Sequence, residues 1–523
     1  MACGLWKTLF MLVVVFLADV GRGDLSESAC LKVPVSEFSG TVKSTVGVVQ
    51  KVVAIVSKFA GKVGDFRLSN AVSDCLELMD VSMDQLSSAL SASLNTYGKS
   101  NGTGNVIDDV KTLLSGALTN QDSCIEGFDG TNGVVKGLVS GSLDHVTSLV
   151  LNLLSMVKSN SGGGRRLTSS DRFPRWIESR DRKLLESASG ATADAVVAAD
   201  GSGNFSSVAE AVRAAPEYSA RKYVIYVKRG VYEEYVEVGK KKWNIMMIGD
   251  GADATVISGN RSFVDGWTTY RSTTFGHVSW HVYAIDLRAL IMKQNEAAKG
   301  QGFIARDMTF ENTAGPRKHQ AVAYRSDSDR SVLYRCNVRG YQDTLYSHSM
   351  RQFYRECKIS GTVDFIFGDG KAVFQNCEIT ARNGLPNQKN TITAQGRKDY
   401  SEETGFSIQF CNISAEPGIA IPTYLGRPWK LYSRTVVMQS YIGSAVRPEG
   451  WLEWNGDFAL DTLFYAEYMN YGPGAGIEAR VKWPGFRVLN GSDEAKRYTV
   501  AEFIVGNTWL PTTGVRYIAG LTN

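Results

Sequence analysis

Four short apolar segments, each ending in cysteine, recur along one stretch of this chain: Leu333-Tyr-Arg-Cys336, Phe353-Tyr-Arg-Glu-Cys357, Val373-Phe-Gln-Asn-Cys377 and Ile408-Gln-Phe-Cys411. Their cysteines are 21, 20 and 34 residues apart, which suits two plain coils and one carrying a loop excursion. The segments are β-branched or aromatic-rich and are followed by Asn, Gly or Ser turn chemistry, as stacked short strands require. A step of roughly 20 to 25 residues is one coil of a parallel β-helix, whose stacked strands lie about 4.8 Å apart. A β-sandwich with irregular strand spacing is the alternative on periodicity alone.

The same step separates two aspartates. Asp343 lies in Gly340-Tyr-Gln-Asp-Thr-Leu-Tyr346 and Asp364, 21 residues on, in Val363-Asp-Phe-Ile-Phe-Gly368. An ionised carboxylate among apolar and aromatic residues costs several kcal/mol unless paired or hydrogen-bonded, so two of them one coil apart predict a shared, prepared site.

At 523 residues and 43% hydrophobic content the chain is long enough for at least two domains. Residues 28–158 are rich in Val, Ser, Leu and Ala, with apolar residues at three- and four-residue steps, as along Ala71 to Leu86. That pattern predicts amphipathic helices packed as a bundle. Residues 159–187 read as a linker carrying two basic clusters, Arg165-Arg166 and Arg180-Asp-Arg-Lys183, which are candidate processing sites or merely solvated charge. Residues 188–523 form the β-helix domain. The first 23 residues place Lys7 before an apolar run from Leu9 to Ala18 and small residues at Gly21-Arg-Gly23, a cleaved secretory signal that leaves no membrane anchor. Secretion permits disulfides and makes the sequons at Asn101, Asn204, Asn260, Asn412 and Asn490 available to glycosylation.

The formal charge of +4 is no nucleic-acid-binding profile. None of the eight cysteines shows a CxxC spacing, so no metal site is expected. Outside the signal seven cysteines remain, an odd number that leaves at least one thiol unpaired within the chain. With five histidines and no Gly-x-Ser-x-Gly elbow, a Ser-His-Asp hydrolase is excluded, and His319 and His348 read as structural.

Five blocks carry a specific resemblance: Gly230-Val-Tyr-Glu-Glu234, Gln320-Ala-Val-Ala323, Gly340-Tyr-Gln-Asp-Thr344, Asp364-Phe-Ile-Phe-Gly368 and Leu425-Gly-Arg-Pro-Trp429. With them the chain from Ala188 onward resembles plant pectin methylesterases, whose fold is a right-handed parallel β-helix. The earlier part, through Ser73-Asp-Cys-Leu-Glu-Leu78 and Ala117-Leu-Thr-Asn-Gln-Asp-Ser-Cys124, is similar to pectin methylesterase inhibitors, which implies an all-α four-helix bundle. The resemblance implies a secreted cell-wall enzyme, expected to be a monomer without cofactor, that removes methyl esters from pectin and releases methanol. Its partners would be the polysaccharide and either an inhibitor protein or its own pro-region. By the family's pattern Asp364 is the nucleophile, Asp343 the acid and base, Gln342 and Gln320 the oxyanion amides, and Arg427 the partner that keeps Asp364 ionised. Thr269, Gln320, Arg427 and Trp429 match substrate-binding positions, and Tyr346 and Tyr324 read as exposed rings for sugar stacking. The family further implies disulfides Cys357–Cys377 and Cys75–Cys124, with Cys30 lacking its usual partner.

Two other readings compete. Paired carboxylates also serve glycosidases on β-helices. A pectin-binding protein with a blocked site is the non-enzymatic alternative. One departure stands out: residues 276–299 are an atypical insertion, more apolar than a surface loop, which we read as translated intron, with a tolerated loop as the alternative.

Overall fold

The computed structural model describes residues 28, 30–60, 64–94, 103–131, 133–159, 193–276 and 302–522. The proposed signal segment and almost all of the linker lie outside the described residues. Four helices come first: α1 (Val35–Val56), α2 (Phe66–Leu94), α3 (Val106–Gly127) and α4 (Gly133–Met156). They bury residues at the expected steps, such as Ala71, Cys75, Leu78, Met79 and Leu86 on α2. The Asn105 side chain caps α3 by accepting from the Asp108 amide. A Cys75–Cys124 disulfide ties α2 to α3; closing 49 residues of chain in this way is worth about 4 kcal/mol by loop entropy. Cys30 is buried and unpaired, with its sulfur 3.2 Å from the Ser28 hydroxyl.

From Ala195 the described residues wind into a parallel β-helix of three sheets with eleven, seven and eight strands. The cysteine-ended segments are consecutive strands of the first sheet. One residue per coil then turns the chain in left-handed conformation: Arg335, Glu356, Asn376 and Phe410 have φ between 51° and 56°. Each stacks on the next through its amide, as Arg335 N to Arg355 O at 2.9 Å. The corner pays its strain in every coil because the following residues gain a ladder. Val338, Ile359, Ile379, Ile413 and Ile442 lie in register one above another and fill the interior.

The implied Cys357–Cys377 disulfide is not formed; both thiols are free and buried. Lys358 pairs with Glu378, so the two cysteines stand one above the other at about the 4.8 Å strand spacing, within reach of a disulfide, but their thiols line up as a hydrogen-bonded row that Cys411 extends. Each sulfur also approaches backbone carbonyls, Cys357 that of Leu333 at 3.4 Å and Cys377 that of Tyr354 at 3.5 Å.

Residues 277–299 of the insertion lie outside the described residues. The strands flanking it nonetheless hold their places: Phe275 pairs with Val236 and Tyr324, and Ile304 with Met246 and Val332. Deleting residues 277–297 is therefore expected to leave the β-helix circular dichroism and melting temperature within a few degrees of the parent. Loss of cooperative melting would show that the segment is part of a coil. Of the five sequons, Asn204, Asn260, Asn412 and Asn490 are exposed and Asn101 lies outside the described residues.

Candidate active site

The seven-stranded sheet forms the floor of the site. Its upper strands are β1 (Tyr324–Ser326), β2 (Leu345–Ser347), β3 (Ile366–Gly368), β4 (Asn390–Gln395) and β5 (Thr423–Gly426). Alternation divides their side chains. Tyr324, Leu345 and Ile366 enter the β-helix core, whereas Val322, Tyr346, Phe367 and Ala394 face outward onto the bundle. This corrects the expectation for the two tyrosines. Tyr324 is interior, stacked parallel on Phe275, and Tyr346 is covered, stacked on Phe367 at 4.1 Å with its hydroxyl 3.2 Å from Ser123 of α3.

Leu345 pairs with Ile366, so Asp343 and Asp364, each two residues before its strand, occupy the same place in consecutive coils. Both have left-handed backbone, φ 61° and 51°, and both are buried. Arg427, beyond the end of β5, grips Asp364 with two bonds, Nε to Oδ1 at 2.8 Å and Nη2 to Oδ2 at 2.7 Å. Thr391 adds a third, its hydroxyl 2.6 Å from Oδ1. Asp343 has a different environment. Burial, with the Asp364 charge beside it, pushes its carboxyl well above the ordinary range, against the pull of Arg427. The chain thus holds two carboxyls side by side, one clamped by a guanidinium and the other driven towards its neutral form.

Gln342 precedes Asp343 and is half-buried; Gln320 lies in the coil below, also half-buried, with its carbonyl accepting from Phe263. Trp429 stands edge-on to Phe367 at 5.9 Å and lies so near Gly396 that a Cβ there would meet the indole at 2.8 Å. Thr269 is half-buried before a 3₁₀ turn, in the coil leading to the strand Phe275–Gly276, two strands from Asp343. Two neighbours escaped the sequence reading. Thr391 is one coil beyond Asp364, but its separation of 27 residues exceeds the plain coil step; Trp454, whose ring lies 4.3 Å from the Arg427 guanidinium, comes from a coil without any spacing signal. Among the described residues no group of three or more His, Cys, Asp or Glu side chains could hold a metal ion.

A pectinesterase family model matches residues 194–507. The chain belongs to the pectinesterase family. A second model, plant invertase/pectin methylesterase inhibitor, matches residues 24–156. "Pectinesterase/pectinesterase inhibitor PPE8B" of Prunus persica is 62% identical over 499 residues, covering 94% of this chain and 91% of that one. "Probable pectinesterase/pectinesterase inhibitor 32" of Arabidopsis thaliana is 56% identical over 516 residues, covering 96% and 94%. Among solved structures, the pectin methylesterase from carrot matches with TM-score 0.58 and 49% identity, over 63% of this chain and 98% of its own.

The inhibitor-like bundle lies over the floor of the pectinesterase domain. Ser123 is 2.7 Å from His348 Nε2, whose other ring nitrogen contacts Asp327. On α2, Asp74 binds Arg271 at 2.5 Å and also accepts from Thr268. Asp108 and Asp109 of α3 reach Arg351 at 3.0 and 2.6 Å, and Asp329 binds the same guanidinium from behind. Asp74, Asp108, Asp109, Asp329 and Arg351 are all deeply buried, so each depends on its partners.

Asp369 sits under α3. It accepts from Thr119 at 2.8 Å, from Thr404 at 2.5 Å and from Gln395 at 3.1 Å, and the buried Glu402 lies close by. Burial raises its carboxyl from 3.8 to about 7 despite the hydroxyl donors. A group raised on folding contributes stability that is full below its unfolded value and is lost as pH rises through the folded one. The full chain is therefore expected to lose melting temperature between about pH 4 and pH 7, and Asp369→Asn to flatten that decline. An unchanged slope in a pH series of thermal melts would remove Asp369 from the account.

Proposed function

We propose that the β-helix domain hydrolyses methyl esters of pectin, giving methanol and the free galacturonate carboxyl. The observation that carries this is the two-point Arg427–Asp364 clamp beside a buried Asp343 whose carboxyl is driven upward. Asp364, oriented by its two bonds to Arg427, attacks the ester carbonyl through a carboxylate oxygen. Neutral Asp343 protonates the departing methoxide, leaving an acyl-enzyme anhydride and free methanol. Water then attacks the anhydride while Asp343 takes up its proton, and cleavage of the acyl–oxygen bond restores Asp364. The amides of Gln342 and Gln320 face the oxyanion of both tetrahedral intermediates, where one donor is worth about 100- to 1,000-fold in rate. Trp429 and Thr269 border the bound sugar chain. A glycosidase needs one carboxyl to meet the leaving oxygen while the other serves a water or the anomeric carbon. An aspartate doubly held by arginine favours the esterase instead.

The bundle is then a pro-region that inhibits in cis. Glu126 of α3 is near enough to Asp343 to raise its carboxyl further, and Ser123 occupies the face of Tyr346 and His348. Cleavage at the basic clusters of residues 159–187, in a secreted monomer on its way to the cell wall, would separate the two domains. The test is methanol release from highly methylated pectin by residues 188–523 and by the full chain. Silence from a well-folded β-helix domain would overturn the esterase reading.

A further inference from the structure

The bundle meets the cleft through a row of acids. Asp80 and Asp84 of α2 both pair with Lys240, Asp122 of α3 pairs with Lys398 at 2.6 Å, and Glu126, one turn further, pairs with Lys430. The three lysines are arranged along the β-helix axis. Lys240 follows the lowest strand of the floor, Val236–Glu237, while Lys398 and Lys430 follow β4 and β5, the highest two. Asp343 and Asp364 precede the strands between them. The seven strands at about 4.8 Å spacing make this a track of about 29 Å. The lysines belong wholly neither to the core nor to solvent: Lys398 and Lys430 keep 35% and 25% of their side-chain exposure under the bundle. Lys430 also lies over the Trp429 ring at 5.0 Å, beside the proposed sugar platform.

A helix and a polysaccharide share little except what this surface can read, which is negative charge at regular intervals. Asp122 and Glu126 are four residues apart on α3, about 6 Å along the helix and so on the scale of one pyranose ring. We propose that Lys240, Lys398 and Lys430 bind carboxylates of galacturonate units that have already lost their methyl groups, and that the acids of α2 and α3 stand in for them. The inference rests on the esterase reading, and it names what that reading leaves open: the site holds its own polyanionic product on both sides of the catalytic pair. The same lysines serve the pro-region first and the product afterwards. Glu126 sharpens the exchange, because burial raises its carboxyl while Lys430 opposes the rise, so its charge depends on that one partner.

The β-helix domain can be tested by itself. Its core closes around its own residues, and the carrot enzyme, 98% of whose chain is matched by 63% of this one, has the same domain without a bundle. Binding of a fluorescent, fully de-esterified oligogalacturonate to residues 188–523 is measured at low and physiological salt, beside methanol release from methylated pectin. Lys398→Gln with Lys430→Gln is expected to weaken oligogalacturonate binding about tenfold and to remove most of its salt dependence. Arginine at both positions is expected to preserve both, which separates charge recognition from damage to the fold. Lys240→Gln is expected to weaken binding of long oligomers and spare short ones. Affinity within twofold of the parent in the glutamine pair overturns the track and leaves the lysines as docking contacts for the bundle alone. Because binding needs no turnover, a fragment that binds through these lysines but releases no methanol keeps the track and refutes the esterase. An active fragment whose binding ignores them does the reverse.

Discussion

Asp364→Ala in the separated β-helix domain is expected to lower methanol release at least about 10,000-fold, the scale on which enzymes lose rate when a nucleophile is deleted. The substitution removes the attacking oxygen and also leaves Arg427 without the carboxylate that takes two of its N–H groups. Asp364→Asn keeps the shape but supplies no nucleophile, and is expected to be as inactive. Arg427→Lys is the informative companion. Lysine is a point charge that cannot reproduce the two parallel bonds, so the carboxylate should turn away from the position Thr391 and Arg427 define, with a fall in kcat larger than any change in KM. The measurement is initial-rate methanol release, with circular dichroism to confirm the fold. Retention of more than about a hundredth of the activity by Asp364→Ala would remove it from the nucleophile's role, since proximity and oxyanion contacts alone leave far less.

Separating the bundle is expected to have the second largest effect: the full chain silent, residues 188–523 active by at least about 100-fold more. Re-addition of residues 24–158 in trans should restore inhibition, because the contacts are between side chains of two folded units. Their strength can be set by one residue. Asp74 is fully buried and holds Arg271 and Thr268, and breaking a buried pair from one side costs about 3 to 5 kcal/mol. Asp74→Ala in the bundle should therefore raise its inhibition constant by about two to four orders of magnitude. An active full chain, or a bundle indifferent to Asp74, would make the helices a folding or export aid.

Much of the catalytic half was legible because a parallel β-helix converts sequence spacing directly into adjacency. Asp343 and Asp364, 21 residues apart, had to stack once that step was the coil length, and the cysteine-ended segments had to be one sheet. The Cys357–Cys377 disulfide was implied by the family's pattern rather than by the coil step; the two cysteines are adjacent, but both are free thiols in a row that Cys411 extends. Tyr324 and Tyr346 failed for another reason. Short strands alternate their faces, and an aromatic in an apolar strand does not declare whether it faces the interior, the bundle or water.

The sequence by itself determined the coil, the bundle, the carboxylate pair and the family, because each is written in local spacing or in contiguous motifs. It could not determine what covers the site. That Glu126 comes near Asp343, that Ser123 meets His348, or that Asp369 lies under Thr119 depends on how two domains dock across more than 200 residues of chain. Docking is decided by complementary charge on surfaces that do not exist until each domain has folded, so only the tertiary structure could pair the acids of α2 and α3 with the lysines and arginines of the cleft.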